Sequence, residues 1–268
     1  MVVTLTGACT SSVETSPNED KATTQIVLNA LSVTRPDYEF SLAPVLRKSD
    51  HGLSITLTAH PIGALTLGDA GRVAVSVMVG KNSTNTSSSH LTETRLSRTL
   101  KLLGTSNETS KIASDTLELL SNMGRSVEVV AVAEFVKPTT EAEIVHEHSG
   151  LAQPQRLLLS AGGGKLPLGN SFYCGQSCDG KAYMAPFQEW VATLQPNDQP
   201  ILSAFGLDLD ELKSTARRGT VYGAIYENYD AQTLLEIASN PKVKALYIAD
   251  VNLRCTSDEV PHCRPMRD

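Results

Sequence analysis

The 268-residue chain predicts an α+β protein with mixed sheets, helices on one face, and a repeated helix–strand–helix–strand unit. Three observations carry this. Alternating, strand-like runs dominate up to residue 80. Helical repeats and apolar strands take turns after residue 91. Two helices end at a glycine, and an apolar strand begins within a few residues of each.

Ser54-Ile55-Thr56-Leu57-Thr58 alternates in character, and residues 72–79 largely do, so both read as strands with one buried face. Residues 81–90 (KNSTNTSSSH) read as a loop. Asn82, Asn85 and Asn107 each head an Asn-x-Ser/Thr triplet, which Ser/Thr/Asn-rich loops generate by composition alone. Leu96, Leu100 and Leu103 recur at helical spacing up to Gly104. Ile112, Thr116, Leu117, Leu120 and Met123 form a second stripe that Gly124 ends.

Residues 127–135 are Val-rich, interrupted only by Glu128 and Glu134, and read as a largely buried strand. Pro138-Thr139-Thr140-Glu141-Ala142-Glu143 supplies a proline, capping hydroxyls and first-turn carboxylates, the signals of a helix start. Residues 155–160 (QRLLLS) read as a strand. Residues 187–194 form a short helix carrying Trp190, the only tryptophan. Residues 207–218 form another, with Asp208 and Asp210 first, Arg217 and Arg218 last, and Gly219 beyond. A strand over 220–226 follows, then a helix from the Asp230 cap to Ser239, the Asn240-Pro241 break, and a strand over 243–251. Regions 91–160 and 187–251 therefore share one plan. Val127, Val129, Val221, Gly223 and Val243 belong in or beside a sheet whose outgoing and returning strands are parallel.

Composition excludes several classes. The net charge is −6, only 5% of residues are aromatic, and no run of Lys or Arg exceeds two. Such a chain is a poor nucleic-acid ligand, since neutralised phosphates supply most of that affinity. Its longest apolar runs, such as 129–133, fall far short of the roughly 20 residues that span a bilayer.

Leu5-Thr6-Gly7-Ala8-Cys9, followed by a Ser/Thr/Asn-rich stretch, resembles a bacterial lipobox. That resemblance implies lipidation of Cys9, removal of the eight residues before it, and a membrane partner reached through the lipid. A working signal needs a longer apolar core, so the start codon lies further upstream or the chain is trimmed. Residues 10 to about 24 read as a flexible tether. The expected organisation is a lipobox and tether over 1–24, an N-terminal α/β region over 25–160, and a cysteine-bearing α/β region over 161–268.

Cys174, Cys178, Cys255 and Cys263 remain, an even number in irregular loops, and are expected to form disulfides in an oxidising compartment. Three pairings are open, the local ones (174–178 and 255–263) being simplest. The rival reading is zinc, but the Cys255-x7-Cys263 spacing is too long for a knuckle even with His262 adjacent.

Val221-Tyr222-Gly223-Ala224-Ile225, Leu234 to Ala238, and Asn240-Pro241-Lys242-Val243-Lys244-Ala245-Leu246 resemble the second half of subtilisin-type propeptides and their inhibitor relatives. The resemblance covers about 30 residues and implies a ferredoxin-like sheet, a statement about fold rather than activity.

Candidate chemistry is sparse. His146-Glu147-His148 is the densest cluster of ligand types, yet at a helix end its two imidazoles diverge. Ala161-Gly162-Gly163-Gly164-Lys165 follows a strand as phosphate loops do, but Leu166-Pro167 stands where a hydroxyl and a helix are needed. Ser160, a histidine and Asp179 assemble a triad only on paper, and Cys174-x3-Cys178 lacks redox spacing. The expectation is a cell-envelope lipoprotein acting by binding a protein or small molecule. No catalytic residue, metal or cofactor is assigned. The alternative is an exported hydrolase or metal-dependent enzyme using His146 or His148.

Overall fold

The computed structural model describes residues 17–63, 71–80, 83–86, 91–105, 109–122, 127–147, 153–171 and 184–253. The architecture is α+β: two antiparallel sheets with eight α-helices among the described residues.

The first sheet holds β1 (Tyr38–Phe40), β2 (Val45–Ser49), β3 (Gly52–Pro61), β4 (Val73–Val79) and β5 (Thr84–Thr86). β4 pairs with β3 along one edge; β2 and β1 share the other, at opposite ends of β3. The alternation read from 54–58 is realised. Leu53, Ile55, Leu57 and Ala59 are buried, and on the opposite face the Thr56 and Ser76 hydroxyls meet at 3.1 Å. β5 is a three-residue strand inside the segment expected to be a loop.

Helix α1 (Pro17–Thr34) precedes this sheet and covers its apolar face. Val27, Leu28 and Leu31 pack with Ile55, Leu57 and Val75, whereas Ala30 and Val33 join the core of the second sheet. Residues 17–24, expected in the tether, are instead its first turns. Their stability is tertiary rather than intrinsic: Asp20 pairs with Lys48 of β2 at 2.6 Å, and the Thr24 hydroxyl donates to the Asp20 carbonyl. After α1, fully buried Asp37 accepts two bonds from Arg35, each 2.9 Å, and one from the Thr94 hydroxyl. This network fixes the turn into β1 and ties it to the chain before the next helix.

The second part holds α2 (Arg95–Leu100), α3 (Thr109–Asn122), β6 (Val127–Thr140), α4 (Glu141–Glu147), β7 (Arg156–Leu158), β8 (Gly169–Ser171) and α5 (Ala185–Thr193). A 3-10 turn follows, then α6 (Gln199–Ser203), α7 (Leu209–Arg218), β9 (Thr220–Tyr229), α8 (Ala231–Ala238) and β10 (Val243–Leu253). The strand order is β10-β6-β9-β7-β8, with every neighbouring pair antiparallel. Hence β6 and β7 are parallel with β9 between them, and β9 and β10 are parallel with β6 between them. Both expected units therefore return through a helix to a parallel, non-adjacent strand, and Val127, Val129, Val221, Gly223 and Val243 all lie in the sheet.

One expectation is corrected. Helices do not cover one face only. Val129, Ala131 and Ala133 pack under α5, α7 and α8, while Val130, Val132 and Ile225 pack under Leu96, Leu100 and Leu103 of α2 and its following turn. The uninterrupted apolar run of β6 leaves neither face for solvent. β7 and β8 pair as a hairpin across the expected 160/161 division. Among the described residues no helix is long and apolar enough to cross a membrane.

Candidate functional site: a groove between the sheets

Gly169 of β8 lies against Pro36, so closely that a Cβ there would come within 2.4 Å of the proline Cβ. The two sheets thus meet at the α1–β1 turn. A groove of about 620 Å³ opens nearby, between β1, α1, β7–β8 and the start of α5. Its apolar wall includes Val33, Phe40, Phe187 and Trp190, with exposed Leu42 at the rim. The Phe187 and Trp190 rings pack at 6.0 Å. The Trp190 indole N–H is buried, with no hydrogen-bond partner among the described residues.

A charged side chain in the groove wall is Arg156. Its side chain is 8% exposed, and its Nε donates to Glu227 Oε1 at 3.3 Å. Among the described residues no acceptor meets its Nη1 or Nη2. The Gln155 Oε1 accepts the Glu227 N–H at 2.7 Å. Burial raises the Glu227 carboxyl above its usual range; Arg156 opposes that shift and Glu39 adds to it. Glu39 therefore stands within electrostatic reach of the pair. It lines the groove with His60, its partner across the β1–β3 ladder.

The ladder also decides which backbone groups of β1 are used. Ser41 N–H donates to the Thr58 carbonyl and Ile62 N–H to the Asp37 carbonyl. In an antiparallel pair, alternate residues bond across, so Asp37, Glu39 and Ser41 face β3. The N–H and C=O of Phe40 point the other way, and among the described residues they have no backbone partner.

A second cavity, of about 200 Å³, lies on the α2 side of the second sheet. Buried Glu134 accepts from Lys244 at 2.7 Å and from the Tyr247 hydroxyl at 2.9 Å. Burial, and then Glu134, push the Tyr247 phenol well above its usual range. Both Glu134 oxygens are occupied from within the protein.

Cys9, Cys174, Cys178, Asp179, Cys255, Cys263 and His148 lie outside the described residues. His146 sits on α4 and is not among the residues lining the groove, and its side chain too lies outside. Among the described residues no group of three His, Cys, Asp or Glu side chains is placed to hold a metal. The Ser160 hydroxyl accepts the Leu168 N–H at 2.8 Å. Gly162, Gly163 and Gly164 all have positive φ and form the β7–β8 turn, with Gly163 N–H directed at the Ala161 and Leu103 carbonyls. No helix follows, so the phosphate-loop geometry is not formed.

Sequence reading passed over Arg156, Glu227, Glu39 and His60. The one available signal was an arginine inside the apolar run QRLLLS, since arginine is almost never buried unless paired. Compared with models of known protein families, with curated proteins and with solved structures, the chain matches none.

Proposed function

We propose that the chain is a cell-envelope lipoprotein that works as a binding module, with the groove between its sheets as the binding site. The observation that carries this is the pairing of an apolar wall with a largely buried cation, Arg156, whose terminal donors meet no acceptor among the described residues. Ligand sites have this composition: mostly apolar surface and a few placed polar groups. The address rests on Leu5-Thr6-Gly7-Ala8-Cys9, with Cys9 as the lipidated residue. Cys174, Cys178, Cys255 and Cys263 are proposed as two disulfides suited to that compartment. The β10-β6-β9-β7 order supports reading the second sheet as ferredoxin-like.

Two measurements test the proposal. A fragment screen read by Trp190 fluorescence should give ligands that Leu42→Arg excludes. Leu42 is 73% exposed, so this variant should melt like the parent; unchanged binding to it would place the ligands elsewhere. In a bacterial host, a fatty-acid analogue should label the full-length precursor and fail to label Cys9→Ser. Equal labelling of both would remove the lipoprotein reading.

A further inference from the structure

Two features of the groove go beyond an apolar slot, and they specify one kind of occupant. The first is the outer edge of β1, which has no backbone partner among the described residues. Phe40 is buried and lines the groove, while its N–H and C=O turn away from β3. An edge strand with free main-chain groups is a template for another extended backbone.

The second is Arg156. A guanidinium only 8% exposed, in the wall of a groove, favours acceptors supplied by the groove's occupant. Glu227 meets only its Nε, and the Nη1/Nη2 fork matches a planar carboxylate held by two parallel bonds. The surroundings argue against a more highly charged anion. Glu227 is in contact and Glu39 is near, so a doubly charged phosphate would be repelled where a single carboxylate is accommodated.

Resting on the reading of the groove as a binding site, we propose that its occupant is the C-terminal segment of a polypeptide. The segment lies extended along β1 with main-chain bonds to Phe40, and its terminal carboxylate is held on Arg156. Alternate side chains of such a strand project to opposite sides, so one set meets Phe187 and Trp190. A fatty acid would satisfy Arg156 but leave the β1 edge unpaired, which is why a peptide is favoured.

The test uses the full chain and its single tryptophan as reporter. A library of acetylated hexapeptides, apolar at alternate positions, is made with free C-terminal carboxylates and again as C-terminal amides; dodecanoate is titrated in parallel. Free-acid members should shift Trp190 fluorescence. Amidation should weaken them by about tenfold or more, the loss expected for a charge-assisted bond pair. N-methylation at alternate peptide nitrogens should abolish binding in one phase only. Arg156→Lys, which keeps the charge and loses the fork, should weaken the acids toward the level of the amides. The amide comparison stands even if that variant folds poorly.

Equal binding of acids and amides would overturn the proposal. So would binding of dodecanoate with no peptide binding, which leaves the groove as a ligand site of another class. If neither dodecanoate, nor any peptide, nor any fragment perturbs Trp190, the groove reading itself fails.

Discussion

At the residue scale, Glu143 shows how three donors set one charge. Its Oε2 accepts the Thr140 N–H at 2.8 Å, the Thr139 hydroxyl at 2.8 Å and the Thr140 hydroxyl at 2.9 Å. Those bonds, the backbone one foremost, lower its pKa from 4.5 to about 2. The sign follows from linkage. A carboxyl with a depressed folded pKa contributes fully above its unfolded value and loses that contribution as pH falls through the folded one. The stabilisation from Glu143 should thus be complete above pH 4.5 and disappear toward pH 2. Glu143→Gln should lower the melting temperature above pH 4.5, and the gap between parent and variant should close below it. A carboxyl resonance titrating near its ordinary value would contradict this. The arrangement was legible, because Thr140-x-x-Glu143 has capping-box spacing. Arg156 was not: a lone arginine in a strand declares neither its burial nor its partner.

At the scale of elements, legibility followed the regularity of the side-chain pattern rather than length, since α1, with 18 residues, went unread. The strands over 127–135 and 220–226, and the helix over 207–218, repeat their pattern several times. Asp208 caps α7 by accepting the Glu211 N–H at 2.9 Å, and Gly219 ends it at φ 59°. β1 and β8 have three residues each, too few for any period to register, yet they border the groove. Gly223 ties composition to sheet geometry. In β9 it faces Glu134 of β6, and a Cβ there would lie 2.5 Å from the Ala133 carbonyl oxygen. That neighbour is backbone inside a central strand pair and cannot swing aside. Gly223→Ala should therefore cost about 1–3 kcal/mol, the usual range for overpacking. Denaturant unfolding would measure it, and an unchanged midpoint would mean that β6 and β9 sit further apart.

At the scale of the molecule, α1 is the shared part. One of its faces closes the first sheet and the other joins the core of the second, so neither sheet keeps its core without it. Leu31 is 0% exposed, and Leu31→Ala should cost about 2–5 kcal/mol. Because the helix is common to both cores, the loss should move one cooperative transition. Trp190 fluorescence, reporting the second sheet, and far-UV circular dichroism, reporting the whole, should shift together. Two separated transitions would show that the sheets unfold independently and that α1 does not couple them.

By itself the sequence determined the α+β class, most of the longer elements, their caps, and the parallel relation between strands joined through a helix. Each of these is written in spacings of a few residues, where side-chain periodicity and capping act locally. Tertiary structure alone decided that α2 covers the second face of the β6 sheet. It also decided that residues 17–24 are helical, and that β1, β7, β8 and α5 come together around Arg156. Those outcomes depend on which surfaces meet. Lys48 holds the start of α1 from another strand, and Pro36 meets Gly169 across 133 positions of chain. Arg156 lines the groove only because β7 lies between β9 and β8 beside the edge of a different sheet. No local pattern encodes such a meeting, because its free energy arises from contacts between segments distant in sequence.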